Sequence, residues 1–183
     1  DGILLAIGQF KTQPIYVSKG RVIDVSGQTL IGRSSNLFSI ADELRYDLGT
    51  HNPESVLVNE GSCYGFDVYR GTVWRYVAGA GQDLITQGLV NFFQAFGKHA
   101  WQTGSQVIAG FQREFNTYYI SGRADFGAFT LGFKERYNQD SISGWVSFYT
   151  FYPEAMSSLD QGMVSFYQGE LWEHEKSNVA TYY

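Results

Sequence analysis

This chain of 183 residues has a single cysteine, three prolines and no long apolar run. With Cys63 alone there is no internal disulfide framework, which suits a polypeptide that folds in a reducing cytosol, and a small buried apolar residue beside Tyr64 is the plainer reading of that thiol. Positive charge is also sparse. Thirteen Lys and Arg stand against eighteen Asp and Glu for a net charge of -5, and no Lys/Arg cluster exceeds a pair. A contiguous surface that tracks phosphates is therefore not encoded, and sequence-specific nucleic-acid binding is not expected. No stretch approaches the ~20 apolar residues of a membrane-spanning helix, so no membrane span is expected. The chain opens on Asp1-Gly2 rather than Met and closes on Tyr182-Tyr183, which suggests a segment of a longer protein. Residues 1–183 would then be one β-rich domain or part of a larger one.

What the chain has in quantity is aromatic side chains, at 17%, together with 21 glycines. Short runs rich in Val, Ile, Phe, Tyr and Trp recur between turn signals, the texture of an antiparallel β protein. "IYVSKGRVIDV" (15–25) reads as a hairpin turning at Lys19-Gly20, "CYGFDVYRGTVWRY" (63–76) as one turning at Arg70-Gly71, and "MVSFYQGELWEHE" (163–175) as one turning at Gln168-Gly169. Two segments follow a helical period instead. In residues 34–50, Leu37, Ile40, Leu44 and Leu48 share a face, Ser34-Ser35 are candidate caps and Gly49 is the stop. In residues 86–99, Leu89, Phe92, Phe93 and Phe96 do the same, between a Thr86 cap and a Gly97 stop. The expected fold class is mainly β with two short helices.

Three hairpins place a Phe before the turn (Phe66, Phe133, Phe166) and a Trp on the returning strand (Trp74, Trp145, Trp172). Aromatics at matched points of successive hairpins fill the space between propeller blades or between sandwich sheets. The spacings are irregular, so propeller-like and β-sandwich arrangements both remain open. In "SGWVSFYTFYPEAM" (143–156), Trp145, Phe148 and Phe151 read as sheet-packing residues that end at Pro153.

Reactive groups are few. His51, His99 and His174 lie far apart, and none belongs to a metal-ligand spacing. In "WEHEK" a strand would turn Glu173 and Glu175 away from His174. Asn138 and Asp140 in "YNQDSISG" lack the acidic spacing of a calcium loop. Glu54, Asp67, Glu114 and Glu154 keep aromatic company, as the carboxylate pairs of glycosidases do, but charges at strand ends and turns are the simpler reading. "AGAGQD" (78–83) opens no phosphate-binding pattern, and there is no GxSxG. No catalytic residue, cofactor site or metal site is assigned, and the chain is not expected to be an enzyme.

Read in order, "GTHNPESV" (49–56), "YGFDVYRGTVWRY" (64–76), "LITQGLVNFF" (84–93), "IAGFQREFNTYYIS" (108–121), "FTLGFKERYN" (129–138), "GWVSFYTFYPEAM" (144–156) and "VSFYQGELWEHE" (164–175) form a distinctive succession. It resembles the large tail muzzle or nozzle proteins of crAss-like and related tailed bacteriophages of gut Bacteroidales, over roughly residues 45 to 183; residues 1–44 match only loosely. The resemblance implies a propeller-like segment of a structural virion protein that closes the distal end of a short tail. The implied partners are copies of itself in a ring and other phage tail proteins, with assembly in the host bacterial cytoplasm and final residence in the virion. The competing reading is a carbohydrate-binding or glycan-cleaving β-propeller domain of a phage tail protein, acting on a host surface glycan. The two readings part on Tyr118, Tyr119, Tyr149 and Tyr152, which are buried between sheets in the first and line a concave pocket beside Glu114 or Glu154 in the second.

Overall fold

The computed structural model describes residues 3–23, 26–40, 44–135, 143–160 and 162–174. Among these, fourteen strands form four antiparallel sheets, joined by one α-helix and one 3-10 turn at Pro53–Ser55. The first sheet has the order β1 (Ile3–Ile7), β2 (Thr12–Ile23), β3 (Thr29–Ile40). The second runs β4 (Leu57–Asn59), β5 (Ser62–Asp67), β6 (Thr72–Val77), β7 (Gly81–Leu84). Helix α1 (Val90–Thr103) leads to the third sheet, ordered β11 (Gly144–Tyr149), β10 (Gly127–Lys134), β9 (Thr117–Ala124), β8 (Ile108–Gln112). The fourth is β12 (Ala155–Leu159), β13 (Gly162–Tyr167), β14 (Glu170–His174). Every strand thus pairs with a sequence neighbour, as short loops favour.

The main core lies between the second and third sheets. Side chains alternate across a strand, so Tyr64, Phe66 and Val73 face one way and meet Phe111, Tyr118, Ile120 and Leu131 of the third sheet. The Tyr64 ring stacks on Tyr118 at 4.8 Å, and Phe66 stacks on Phe96 of α1 at 4.9 Å. The opposite face of the second sheet carries Cys63, Trp74 and Tyr76, which with Leu48 form a smaller cluster under Leu5 and Ile7 of β1. The fourth sheet packs on β8, where Gly110 makes room for Met156 and Met163.

The hairpins at Arg70-Gly71 and Gln168-Gly169 form as read, with Asp67 opposite Thr72 and Tyr167 opposite Glu170. The hairpin expected over 15–25 does not. Lys19 and Gly20 lie inside β2, paired with Arg33 and Gly32, and the chain reverses between Ile23 and Thr29. Among the described residues the helix expected from Ser34 is also absent, because residues up to Ile40 belong to β3 and pair with Ile15, Tyr16 and Val17. Ladder pairing with β2 outweighs the i, i+4 spacing of Ile40 and Leu44. The four residues Ser34 to Leu37 form an irregularity opposite Ser18, where the Ser34 hydroxyl accepts the Asn36 amide at 3.1 Å. Serine here caps a local turn and not a helix.

Helix α1 is present, but it starts after Leu89 and runs past Gly97 to Gly104, which holds the left-handed conformation of a helix stop. Thr86 contributes its backbone carbonyl, which accepts the Leu89 amide, and no side-chain cap. Gly97 is buried inside the helix because the β5–β6 turn sits on it: a Cβ there would lie 2.6 Å from both Gly71 Cα and the Val68 carbonyl oxygen.

The three tryptophans are not equivalent. Trp74 is fully buried in the small cluster, on the face opposite Phe66, whereas half-buried Trp145 packs against Phe133 and Phe93 in the main core and Trp172 is half-buried on β14. Phe151 packs on Tyr119 and Tyr149 as read, but Phe148, on edge strand β11, is 57% exposed, with its ring against Phe92 at the rim of the core.

A Gly97→Ala substitution separates the helix-raising effect of alanine from this backbone contact. Alanine favours an exposed helix interior by ~1 kcal/mol, yet overpacking against the turn is expected to destabilise the protein by about 1 to 3 kcal/mol. Urea titration reads the sign, and a stabilised variant would show that the turn is not seated on the helix.

Candidate functional site

The four carboxylates considered from sequence do not converge. Glu54 sits exposed in the 3-10 turn, Glu114 in the β8–β9 turn and Glu154 before β12, and no hydrogen bond or ion pair among the described residues joins any two of the four. Asp67 is buried for a structural reason. It accepts the Gly49 amide at 3.2 Å, and the Arg70 amide and guanidinium at 2.9 Å each. Gly49 also accepts the Trp74 indole N–H at 2.9 Å and packs on the Gly8-Gln9 backbone, so that a Cβ would lie 2.6 Å from the Gln9 carbonyl carbon. The Thr50 amide donates to the Gly8 carbonyl at 3.0 Å. Asp67 therefore ties the first sheet to the second.

The histidines are equally dispersed. His51 lies edge-on to Trp101 and Phe10, His99 pairs through Nδ1 with Asp125 at 2.6 Å, and His174 contacts the Ser165 hydroxyl at 2.7 Å beneath Phe151. Burial lowers the His174 pKa. Among the described residues no three His, Cys, Asp or Glu group as metal ligands, and no helix is long and apolar enough to cross a membrane. Asn138, Asp140 and Glu175 lie outside the described residues. Of the four tyrosines, Tyr118 and Tyr119 are buried, with their hydroxyls donating to the Ser55 carbonyl at 3.4 Å and to Gln112 Oε1 at 3.0 Å. Tyr149 is half-buried against Tyr119, and half-buried Tyr152 lies under Arg123.

Two features went unread in the sequence. The first is a charge network between the sheets. Glu135, just after β10, accepts the Tyr64 hydroxyl at 2.9 Å and Arg75 Nη1 at 2.6 Å, while Arg75 Nη2 reaches Asp83 at 3.2 Å. Tyr64, Arg75 and Asp83 are a cross-strand row, so strand alternation brings them to one face. The available signal was Glu135 two positions after the core residue Phe133, hence on the same side of the extended chain. Burial, then the Glu135 charge, raises the Tyr64 phenol pKa, and burial raises that of Tyr118. These phenols remain neutral donors.

The second is an open groove of about 990 Å³ between the first and second sheets. Its floor is the rung Val58, Cys63, Tyr76, Gln82 across β4 to β7, and its wall is Ile3 and Leu5 of β1 beside Tyr16 of β2. Lys19 and Arg45 line its margin. Burial pushes the Cys63 thiol from its usual 9.0 up to about 11, and burial together with Tyr16 raises the Tyr76 phenol. Gln82 is 5% exposed, and neither its amide nitrogen nor its amide oxygen has a hydrogen-bond partner among the described residues. A buried amide left unbonded is costly, and both polar atoms of this side chain are shut off from the solvent of the groove. Alternation of β7 alone could not signal it, because the wall comes from the far N-terminal strand.

No family model and no curated protein matches this chain.

Two outcomes follow from this geometry. Replacing Glu135 with Ala strands Arg75 and the Tyr64 hydroxyl; because Arg75 keeps Asp83, the expected loss is about 3 kcal/mol, at the low end for a broken buried pair, read by chemical denaturation, and an unchanged midpoint would assign the network no structural weight. The second concerns pH. The unfolded Cys63 thiol ionises near 9.0 while the folded one holds its proton to about 11, so the native state binds more protons and stability falls as pH rises through that window. The raised phenols of Tyr64 and Tyr118 act in the same direction. Thermal melts across the alkaline range should show this decline, with Cys63 unreactive to thiol reagents until the transition; flat melts would contradict it.

Proposed function

We propose that this chain is a segment of a structural virion protein of a tailed bacteriophage, part of the tail muzzle or nozzle, working by shape and symmetric self-association. The observation that carries the reading is apolar surface left uncovered at both ends of the sheet succession. Leu4, Leu30, Ile31 and Phe38 of the first sheet are exposed, as are Leu159, Phe166 and Leu171 of the fourth. Exposed apolar patches of this kind mark interaction surfaces, and closed rotational symmetry is the usual way to cover them without open-ended growth.

Burial of Tyr118 and Tyr119 supports the same reading. Their rings and hydroxyls are used in packing, so neither ring is a platform for a sugar beside exposed Glu114. The succession of four antiparallel meanders, each following the last along the chain, is the form that propeller blades take, and we read the fold as propeller-like on that ground. The ring forms from copies made in the host bacterial cytoplasm and joins other tail proteins in the virion.

Sedimentation of the purified whole protein, with negative-stain imaging of the same sample, tests the proposal. A closed ring at micromolar concentration is expected. A strictly monomeric protein, or one that hydrolyses a glycan and loses that activity on Glu114→Gln, would overturn it.

A further inference from the structure

The groove between the first two sheets, at about 990 Å³, has the size of a small-molecule site, roughly 300 to 1,000 Å³. Its walls are aliphatic in a chain rich in aromatic rings. Ile3, Leu5, Ile31, Leu44, Val56 and Val58 line it, and the rings among its lining residues are two phenols, Tyr16 and Tyr76. Ile31 and Val58 stay 54% and 69% exposed, so the concavity presents hydrocarbon to water, which an aliphatic chain laid in it would cover. The charge on the lining is one-sided. Lys19 and Arg45 form no ion pair among the described residues, whereas the lining carboxylate, Asp83, is taken by Arg75 at 3.2 Å. Lys19 reaches the groove through a backbone irregularity. Pro14 and Tyr16 line it from one face of β2, and strict alternation would send Ser18 there next. Ser18 instead takes a positive φ of 55° at the register shift between Val17 and Lys19, so Lys19 follows Tyr16 on that face. Ile31, two residues from Arg33, the cross-strand partner of Lys19, stands on the same side. A bulge of this kind re-aims one side chain, and such bulges are over-represented beside functional sites.

We infer that this groove binds a single-chain anionic amphiphile, its aliphatic tail along the walls and its carboxylate at the margin held by Lys19 and Arg45. A cationic head would meet two like charges and a carboxylate already paired, and a sugar would find few rings on which to stack. The site is independent of the assembly reading above. Leu30, next to Ile31 on β3, faces the other side of that strand, and the fourth sheet packs on the third, so contacts through either leave the groove open.

Calorimetric titration of the purified whole protein with sodium dodecanoate, kept below its micelle concentration, is the test. Saturable binding is expected. Octanoate should bind at least about tenfold more weakly, because it lacks four methylenes that each contribute up to roughly fourfold when fully buried. Dodecyltrimethylammonium, the same tail with the opposite charge, should also bind about tenfold or more weakly than dodecanoate; equal binding would make the groove an unselective apolar cleft and overturn the inference. Lys19→Gln with Arg45→Gln should weaken dodecanoate by about three- to tenfold. Val58 is exposed, so a charge there is tolerated by the fold: Val58→Glu should weaken dodecanoate by about tenfold and Val58→Lys should retain it, with circular dichroism checking that every variant is folded. Dodecanoate bound equally by the parent, the Lys19 and Arg45 double variant and Val58→Glu would place it outside the groove, and a parent that shows no saturable binding would overturn the inference outright. Each of these failures leaves the assembly reading untouched, since sedimentation of the same protein reads ring formation separately.

Discussion

The close approach of the second sheet to the third is the constraint on which the rest of the molecule depends. Tyr64 on Tyr118 and Phe66 on Phe96 place aromatic rings face to face at under 5 Å, and offset aromatic pairs add to the apolar area that they bury. Two of these rings carry hydroxyls in a dry interior, which would be costly if unmet. Glu135 receives one and the Ser55 carbonyl the other. Because Glu135 is itself held by Arg75 from β6, the polar groups fix how the two sheets sit as well as satisfying one another.

The outer parts are mounted on that core by backbone more than by side chains. Gly97 lets the β5–β6 turn rest on α1, and Gly49 lets the Gly8 loop rest on the second sheet while its amide and carbonyl are taken by Asp67 and Trp74. In both places the missing Cβ is the requirement, since a side chain would meet backbone atoms that cannot rotate away. The fourth sheet is instead held through side chains, Met156 and Met163 lying over Gly110 of β8.

Much of the architecture was legible in the sequence. Alternating Val, Tyr, Phe and Trp between turn residues gives antiparallel meanders, and the hairpins at Arg70-Gly71 and Gln168-Gly169 were fixed by local chemistry: a positive φ at Gly71, Gln168 and Gly169 and strands too short to pair elsewhere. The helix over Phe92, Phe93 and Phe96 was visible for a similar reason, because its apolar period matches its one buried face. Cys63 as a small buried residue also followed from its apolar surroundings.

What the sequence could not decide were the features set by distant partners. Residues 34 to 40 carry a helical period, yet β2 supplies a ladder for them, and pairing with a ready strand outweighs a weak local preference. Gly97 reads as a helix stop until the β5–β6 turn is seen to lie on it. Asp67 reads as a charge at a strand end until Gly49, 18 residues earlier, is seen to use it, and Glu135 reads the same way until Tyr64 and Arg75 arrive 71 and 60 residues away. The groove beside Gln82 exists because β1, at the far end of the chain, lies over the second sheet. Local patterns follow from backbone sterics and side-chain period, which the sequence determines alone; burial, charge pairing and orphaned hydrogen bonds depend on which surfaces meet, and only the tertiary structure decides that.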